Sequence, residues 1–489
     1  MNSPIRRISA GCLLLCVALL INITYVQAFW ADELNARPEN RRVLLDEYSR
    51  ERGPILLADD TPIARSVPDD SEFEFQRQYP QGPMYAPLTG YYSRFYGRTG
   101  LERAQNDILS GEDDRLFVRR LIDMATGEEP KGGAVKLTVQ PAAQEAAYEG
   151  LEGYKGAVVA IDIETGAILA AANRPSYDPN AIATHDFDEQ TAAKNDLDSD
   201  EDQPALNRAF AQRLPPGSVF KLVTAAAALE SGEYEPDSEV PGPAQYDLPL
   251  SDKPLGNYFE GACGPGGTTT LIEALRISCN TAFAHIGNEL GHDALLDQAE
   301  RFGFNTQPLT DSDMNAATSV FPDDASEPET AYSAIGQFEV AATPLQIAMV
   351  SAAIANDGVL MDPYLIREVR GPDLVSPIEQ TEPEELTEAV SSETAEQLTD
   401  MMVEVVDDGT GENAQIEGID VAGKTGTAET GREDEPPYAW FTSFAPADEP
   451  RVAVAVVIEE APDTAREDIG GGALAAPIAR DVMEAVLGS

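Results

Sequence analysis

Residue types that commonly carry enzyme chemistry are scarce in this chain of 489 residues. It contains three histidines, His185, His285 and His292, and four cysteines, of which Cys12 and Cys16 lie in its one long apolar run. No histidine has the sequence neighbours of a serine–histidine triad. Three dispersed histidines and two remaining cysteines also make a poor set of zinc ligands. We therefore expect no metal site, and we expect any nucleophile to be activated by a base other than histidine.

Positive charge is scarce as well. The chain has 33 Lys and Arg residues against 85 Asp and Glu, a formal net charge of −52. This balance argues against binding to nucleic acid or to an anionic surface. The acid-rich stretches 186–202 and 322–329 are expected to be solvated loops. Because salt screens like-charge repulsion, we expect an exported protein of an organism that lives in high salt or alkali.

One apolar run is long enough to cross a membrane. Arg6 and Arg7 precede it, residues 8–30 contain no charged side chain, and acidic residues follow. A helix over residues 8–29 would span about 33 Å, enough for a bilayer. Basic residues before the run and acidic ones after it predict a cytoplasmic N-terminus and an exported remainder. The alternative is a signal peptide cleaved after Ala28, which the length of the run disfavours.

The other two cysteines, Cys263 and Cys279, lie sixteen positions apart on the exported side. Exported compartments are oxidising, so the pair is a candidate disulfide. The alternative is two separate buried thiols, with Cys279 packed as a small apolar residue.

Lysine is rare enough to make each one informative. The chain has seven lysines, and only Lys221 has a serine three positions earlier. That serine, Ser218, follows the Pro-Pro-Gly sequence 215–217 and precedes the apolar run 222–229. A helix that starts here places the hydroxyl and the amine on one face, one turn apart. The spacing predicts a serine nucleophile beside a lysine base.

Two further motifs follow, Ser-Cys-Asn at 278–280 and Lys-Thr-Gly-Thr at 424–427. Taken alone, Ser278 and Asn280 are also typical of helix caps. Taken alone, the second motif is also typical of an edge strand with an exposed Lys424. The three motifs in this order favour one shared site over three unrelated structural roles.

Ser-x-x-Lys, Ser-x-Asn and Lys-Thr-Gly in this order resemble the motifs of the penicillin-recognising serine acyltransferases. Within them the chain resembles the class B penicillin-binding proteins of the penicillin-binding protein A type, found in actinobacteria. The resemblance covers nearly the whole chain, because three segments outside the site agree with it: residues 52–55 (Arg-Gly-Pro-Ile), 97–102 and 156–173.

The resemblance implies an α+β penicillin-binding transpeptidase fold, in which helices cover an antiparallel sheet, with a β-rich N-terminal pedestal. Three domains are implied. They are a cytoplasmic tip with a transmembrane anchor (1–30), a non-catalytic pedestal of the penicillin-binding protein dimerisation kind (31–150), and a transpeptidase domain (151–489).

Apolar periodicity supports this fold independently. The β-prone runs 157–162 and 167–171 flank a turn and predict a hairpin that opens the last domain. Runs 438–444 and 452–458 predict two more strands near the end. Thr-Pro at 343–344 predicts the start of a core helix.

Catalytic roles follow from the resemblance by position. Ser218 would attack the substrate carbonyl, Lys221 would accept its proton, and Ser278 would relay protons toward the leaving group. Asn280 would hydrogen-bond the peptide amide, and Lys424 would stay positive and hold the substrate's terminal carboxylate. The remaining substrate-binding residues are Thr425, Gly426 and Thr427. Backbone N–H groups of Ser218 and Thr427 would form the oxyanion hole.

A lysine base must be neutral for part of the time. The pKa of Lys221 must therefore fall from about 10.4 toward 7–8, and partial burial and the nearby charge of Lys424 both push it down. Two positions depart from the family pattern. Tyr438 stands where a histidine is common, and no catalytic role is expected there. Cys279 inside Ser-x-Asn does not imply the Ser-Asp-Asn chemistry of β-lactamases.

Three functions share such a site: a D,D-transpeptidase that cross-links peptidoglycan stem peptides, a β-lactamase, and a penicillin-binding sensor or scaffold without turnover. The β-lactamase is disfavoured because no glutamate lies four residues before an asparagine beyond Asn280, and because the anchor and pedestal go unexplained. A scaffold needs neither Lys221 nor Lys424, yet this lysine-poor chain contains both. We expect a cofactor-free transpeptidase, acylated by β-lactams, in cell-wall synthesis during growth or division.

A further partner follows from the resemblance. Bifunctional relatives carry a glycosyltransferase domain with a characteristic histidine, and no histidine precedes His185. The chain is therefore expected only to cross-link. It would work beside a separate membrane lipid II polymerase of the RodA/FtsW kind, with its catalytic domain outside the cell.

Overall fold

The computed structural model describes residues 2–30, 48–70, 73–116, 131–249, 253–310, 314, 316–431 and 435–488. The chain starts with helix α1 (Asn2–Phe29). Within it, Ile5–Phe29 is long and apolar enough to cross a membrane, with a mean hydropathy of 2.2 and no burial against the rest of the protein. This helix suggests a single-pass membrane anchor.

Short strands and helices make up the N-terminal region after α1. The strands are β1 (Ile55–Leu56), β2 (Pro62–Pro68), β3 (Phe75–Gln78), β4 (Tyr92–Ser93), β5 (Gly97–Arg98) and β6 (Ala134–Leu137). The helices are α2 (Gly82–Thr89), α3 (Gly100–Ala104) and α4 (Asn106–Ser110).

Both short and long elements follow in the rest of the chain. The strands are β7 (Lys155–Asp162), β8 (Ile168–Arg174), β9 (Glu239–Pro241), β10 (Gln245–Tyr246), β11 (Leu255–Gly256), β12 (Thr268–Thr270), β13 (Val359–Met361), β14 (Ile366–Arg370), β15 (Pro377–Gln380), β16 (Glu385–Glu388), β17 (Ala422–Ala428), β18 (Tyr438–Ala445) and β19 (Val452–Glu460). The helices are α5 (Pro141–Gly150), α6 (Asn180–Ala183), α7 (Phe187–Ser199), α8 (Arg208–Ala211), α9 (Lys221–Glu230), α10 (Leu271–Arg276), α11 (Asn280–Leu290), α12 (His292–Arg301), α13 (Glu327–Ser333), α14 (Pro344–Ala355), α15 (Ser392–Asp407) and α16 (Ala476–Leu487).

The pedestal is built on a six-stranded sheet of order β15-β14-β6-β1-β2-β3. Strands β1 and β6 run parallel, and β14 pairs antiparallel with β6, placing Val369 opposite Val135. The hairpin β14–β15 therefore completes this sheet although it lies in the second half of the chain. The domain boundary at residue 150 stays a prediction, and the sheet includes strands from both sides of it.

A buried ion cluster fixes the pedestal beside this sheet. The carboxylate of Glu102 accepts hydrogen bonds from Nε of Arg52 and Nε of Arg77, both at 2.6 Å, and from the hydroxyl of Tyr79 at 3.2 Å. Burial works to raise the pKa of Glu102, but the two guanidinium charges outweigh it and the pKa is lowered. Arg52 belongs to the segment 52–55 and Glu102 to the segment 97–102. Two of the segments that carry the family resemblance are therefore in direct contact.

A five-stranded antiparallel sheet of order β17-β18-β19-β7-β8 forms the core of the larger part. The predicted hairpin of β7 with β8 is formed, and the two strands predicted near the end, β18 and β19, also pair with each other. Alternate residues of β19 face opposite sides: Val454 and Val456 pack toward α5 and α16, whereas Ala455 and Val457 pack toward α9 and α14. Helices on both faces leave β19 apolar nearly throughout. The predicted α+β fold, in which helices cover an antiparallel sheet, is confirmed.

The two acid-rich stretches predicted to be loops contain helices, which corrects that expectation. Residues 186–202 are mostly helix α7, because the carboxylate of Asp186 caps two backbone N–H groups of its first turn. Acidic side chains in that turn are also favoured by the helix dipole. Likewise, residues 322–329 run into α13, which starts at Glu327 after a capping box at Ser326. Composition indicates that such residues are solvated, but it does not decide their backbone conformation.

Candidate active site

Ser218 lies in a 3₁₀ turn (Gly217–Phe220) that leads directly into α9. The sequence predicted one continuous helix, and the tighter first turn is the difference. Gly217 has φ +55°, and a Cβ there would lie 2.9 Å from the carbonyl oxygen of Thr427 and from Cβ of Ala428. Glycine therefore lets the turn sit against the end of β17. Ser218 is partly exposed, and its hydroxyl forms no hydrogen bond with any residue that the structure describes.

The amine of Lys221 is fully buried and directed at the second motif. Its Nζ donates to the carbonyl oxygen of Ser278 at 2.8 Å, to Oγ of Ser278 at 3.2 Å and to Oδ1 of Asn280 at 2.7 Å. Burial first, and the nearby charge of Lys424 second, lower the pKa of Lys221 well below its usual value. This is the direction that a lysine base requires.

Ser278 joins helix α10 to helix α11 in a left-handed conformation, with φ +60°. The backbone N–H groups of Ser278 and Cys279 fold back to the carbonyls of Leu275 and Ala274, at 3.2 and 2.8 Å. A non-glycine residue in this conformation costs on the order of 1 kcal/mol and persists only where the surroundings fix it. The bend places Oγ of Ser278 between two lysine amines.

Lys424 supplies the second amine from β17, at the edge of the five-stranded sheet. The strand pairs with β18, so that Lys424 lies opposite Thr442, and the side chain is fully buried rather than exposed as in an ordinary edge strand. Its Nζ donates to Oγ of Ser278 at 3.0 Å and to the carbonyl oxygen of Thr425 at 2.9 Å. Burial lowers the pKa of Lys424 to about 7. Burial thus works against the positive charge that the family resemblance implies for Lys424, and this role of Lys424 stays a prediction.

The other residues of the third motif let β17 pack closely against the turn that carries Ser218. A Cβ at Gly426 would lie 3.0 Å from the carbonyl oxygen of Pro216, so glycine permits the close approach. Thr427 is half-buried at the end of the strand, while Oγ1 of Thr425 hydrogen-bonds to Oγ1 of Thr410 at 2.6 Å. Sequence reasoning did not single out Thr410, which lies in no recognisable motif.

Hydrogen bonds join four of the predicted catalytic side chains, Lys221, Ser278, Asn280 and Lys424, whereas Ser218 lies in the turn against the end of β17 and its hydroxyl bonds to none of them. The structure joins Cys263 and Cys279 in a disulfide directly beside Asn280. The histidines lie elsewhere: His185 contacts Asp69, His285 contacts Glu289, and His292 stacks on Phe321. Tyr438 starts β18, opposite Ala428.

Electrostatically the site carries two amines and no described acidic partner. No carboxylate among the described residues forms an ion pair with either Lys221 or Lys424, and burial is the main cause of both lowered pKa values. An anion that enters next to Lys424 would favour its protonated form. The arrangement suits a substrate that has a carboxylate near an electrophilic carbonyl.

Comparison with known protein families gives two matches. The penicillin binding protein transpeptidase domain matches residues 156–484, and the penicillin binding protein A dimerisation domain matches residues 52–135. The chain is 45% identical over 494 residues to the peptidoglycan D,D-transpeptidase PbpA of Mycolicibacterium smegmatis, covering 100% of this chain and 99% of that protein. It is also 45% identical over 500 residues to PbpA of Mycobacterium tuberculosis, with the same coverage.

Solved structures agree with the sequence matches. Penicillin-binding protein A from M. tuberculosis in its ceftriaxone acyl-enzyme complex has a TM-score of 0.86 at 41% identity, over 91% of this chain and 100% of that one. The imipenem acyl-enzyme complex has a TM-score of 0.85 at 42% identity, with the same coverage. The chain therefore belongs to the penicillin-binding protein transpeptidases and, among them, to the class B penicillin-binding proteins of the penicillin-binding protein A type.

Proposed function

We propose that the protein is a peptidoglycan D,D-transpeptidase that cross-links stem peptides through an acyl-enzyme on Ser218. The observation that carries this proposal is the contact of one serine hydroxyl, that of Ser278, with two buried lysine amines, one of which belongs to the same Ser-x-x-Lys motif as the partly exposed Ser218. Curated relatives with 45% identity along the whole chain are named for this reaction. β-Lactams would act as inhibitors by acylating the same serine, as in the acyl-enzyme complexes of the solved relative.

In the first half-reaction the Oγ of Ser218 attacks the carbonyl of the penultimate D-alanine. Its proton passes to the neutral amine of Lys221, which burial keeps easy to deprotonate. The tetrahedral intermediate collapses, the bond to the terminal D-alanine breaks, and the leaving amine takes a proton through the hydroxyl of Ser278. An acyl-enzyme and free D-alanine result.

In the second half-reaction the amine of another stem peptide attacks the acyl-enzyme. Lys221 takes the proton of that amine as the new amide forms, and Ser218 regains its proton when it leaves.

The terminal carboxylate of the first peptide would be bound by Lys424, Thr425, Gly426 and Thr427. This negative charge would raise the pKa of Lys424 and favour its protonated form. Asn280 would bind the peptide amide of the donor.

The place of the protein in the cell follows from α1. We infer that the N-terminus is cytoplasmic, because Arg6 and Arg7 precede the apolar run and acidic residues follow it. The pedestal, residues 31–150, and the transpeptidase domain, residues 151–489, then lie outside. The partner would be a membrane lipid II polymerase of the RodA/FtsW kind, reached through α1 and the pedestal.

A single labelling experiment tests the reaction. Full-length protein in detergent is incubated with a fluorescent penicillin, and the label on the protein is followed by mass. We expect long-lived label on the wild type and none on Ser218→Ala. Lys221→Arg should lose about 10³-fold in acylation rate, because an arginine keeps the charge but cannot accept the proton.

The control for the lysine change is Lys194→Arg on the exposed helix α7, which should acylate like the wild type. Rapid loss of the label with release of hydrolysed penicillin would make the protein a β-lactamase instead. If the wild type takes no label, the protein would instead be a scaffold that does not bind penicillin covalently. Release of D-alanine from a D-Ala-D-Ala peptide, with a product joined to an added amine, then measures the transfer itself.

A further inference from the structure

Helix α11 starts at a catalytic motif but is capped from outside it. Its first residue is Asn280, and the backbone N–H groups of the first turn have no partner within the helix. The N-cap residue Cys279 offers only a disulfide sulfur, which accepts from the N–H of Ala282 at 3.4 Å. The first two N–H groups, of Asn280 and Thr281, donate instead to Oδ1 of Asn257, at 3.0 and 3.1 Å.

The loop that carries Asn257 is itself fixed on both sides. Nδ2 of Asn257 donates to the carbonyl of Gly261 at 3.0 Å and to that of Pro243 at 3.3 Å. Before it, β11 pairs with β10, and after it Cys263 is bonded to Cys279. All the hydrogen-bonding capacity of this amide is therefore used: its oxygen accepts from α11, and its two N–H groups donate to Gly261 of the same loop and to Pro243, which precedes β10.

The same loop also contacts the catalytic side chain. Nδ2 of Asn280 donates to the carbonyl of Gly256 at 3.3 Å, while Oδ1 of Asn280 accepts from Nζ of Lys221 at 2.7 Å. Asn257 thus fixes the backbone of Asn280, and its neighbour Gly256 fixes the orientation of the side-chain amide. A rotation of that amide would present N–H groups to the amine of Lys221 in place of an acceptor.

We infer that Asn257 is a positioning residue for acylation: it caps α11 so that the amide oxygen of Asn280 faces the general base Lys221. The inference rests on the proposed function and adds the loop 255–263 to the machinery of the site. The described hydrogen bonds of Asn257 go to neither Ser218 nor Lys221, so it acts through the start of α11, where Asn280 and Thr281 donate to it.

Two substitutions separate positioning from stability. Asn257→Ala removes the cap, and Asn257→Asp keeps an acceptor for both N–H groups while adding a negative charge. Burial and the charge of Lys424 both lower the pKa of Lys221. Acylation needs the neutral amine, so a further change in this pKa moves the acid limb of the pH–rate profile. Asn356→Ala is the matched control, because it removes a similar side-chain bond to a carbonyl, that of Val359 at 3.0 Å, at the end of α14.

The rate of acylation of the full-length protein by a fluorescent penicillin is measured from pH 5 to 10. Asn257→Ala should acylate about ten- to a hundredfold more slowly. Its acid limb should move to lower pH, since the ammonium of Lys221 loses an acceptor. Asn257→Asp should move the limb to higher pH. Thiol titration under denaturing conditions confirms that the Cys263–Cys279 disulfide is intact, and the Tm is recorded for each variant.

An acylation rate of Asn257→Ala equal to that of the wild type would overturn the inference. Slower labelling with an unmoved acid limb in both variants would also overturn it, because that result indicates a purely structural role. If Asn257→Ala does not fold, Asn257→Asp still tests the inference, because an acid limb at the wild-type pH in this variant would overturn it. A wild type without label would overturn the proposed function and this inference with it. A labelled wild type with unaffected variants would overturn this inference alone.

Discussion

The side chain of Lys424 is held at the active site at a cost to stability. A lysine has an unfolded pKa near 10.4, and burial in the folded protein lowers it to about 7. Below about pH 7 both states are protonated, and the folded state bears the full cost of a buried charge. Between pH 7 and about 10.4 the unfolded state binds more protons, so stability rises with pH in this window.

Lys424→Met should therefore stabilise the protein, because methionine has a similar shape and carries no charge. We expect a gain of up to about 4 kcal/mol near pH 6 that disappears as the pH approaches 10.4. Urea unfolding of wild type and variant at pH 6, 8 and 10 measures it, followed by the fluorescence of the fully buried Trp440. A gain that is the same at all three pH values would show that packing, not charge, is responsible. The variant should also lose binding of carboxylate substrates.

The sequence motifs pointed to the side chains that we propose to be catalytic, but not to Asn257, which bonds to the start of α11. Ser218, Lys221 and Lys424 stand in short motifs whose order is informative. Asn257 lies in the irregular loop 255–263, and its bonds to Asn280 and Thr281 depend on how that loop returns to α11. Nothing in the local pattern encodes such a return. The one available signal was the cysteine pair, which ties the same loop to the motif.

Among the elements of the pedestal, the ion cluster around Glu102 links α3 to the segment before β1, through Arg52, and to β3, through Arg77. Removing one member of a buried charge cluster leaves the others without compensation, which costs about 3–5 kcal/mol. Glu102→Gln should therefore destabilise the protein by this amount, since it strands the guanidinium groups of Arg52 and Arg77. Thermal unfolding of the full-length protein gives the measurement.

The matched control is Glu396→Gln, which makes the same chemical change on the exposed surface of α15 and should shift stability by less than about 0.5 kcal/mol. Equal effects of the two substitutions would mean that the cluster contributes nothing beyond an ordinary surface charge. Acylation by penicillin at low temperature should be retained by both variants, because the cluster lies outside the catalytic site.

Periodicity predicted the central elements better than the peripheral ones. Strands β7, β8, β18 and β19 are apolar on both faces because helices cover both faces, and this produces the continuous runs visible in the sequence. The hairpin β14–β15 is short and half-exposed, so its alternation is weak. Its partner β6 lies far away in the chain, and no local pattern predicts that pairing.

For the whole molecule, the net charge of −52 is the dominant property. The Debye length falls from about 10 Å at 0.1 M salt to about 3 Å at 1 M, so molar salt screens repulsion between neighbouring surface carboxylates. We expect the Tm and the acylation rate both to rise from 0.05 to 2 M KCl. Sucrose at matched osmolality is the control, since it stabilises compact states without screening charge. An unchanged Tm in KCl, or an equal rise in sucrose, would refute the electrostatic explanation and the inferred saline or alkaline habitat.

The pairing of β14 with β6 also sets an order in time for secretion. With α1 oriented as proposed, translocation exports β1, β2, β3 and β6 before β14. The edge of β6 then stays unpaired until Ile366–Arg370 has crossed the membrane. At a synthesis rate of about 5–20 residues per second this interval lasts on the order of 10–50 s. An unpaired edge is a template for wrong strand pairing during that time. The pedestal is thus finished only after most of the chain has been translocated, and a chain truncated before residue 366 would carry an incomplete sheet.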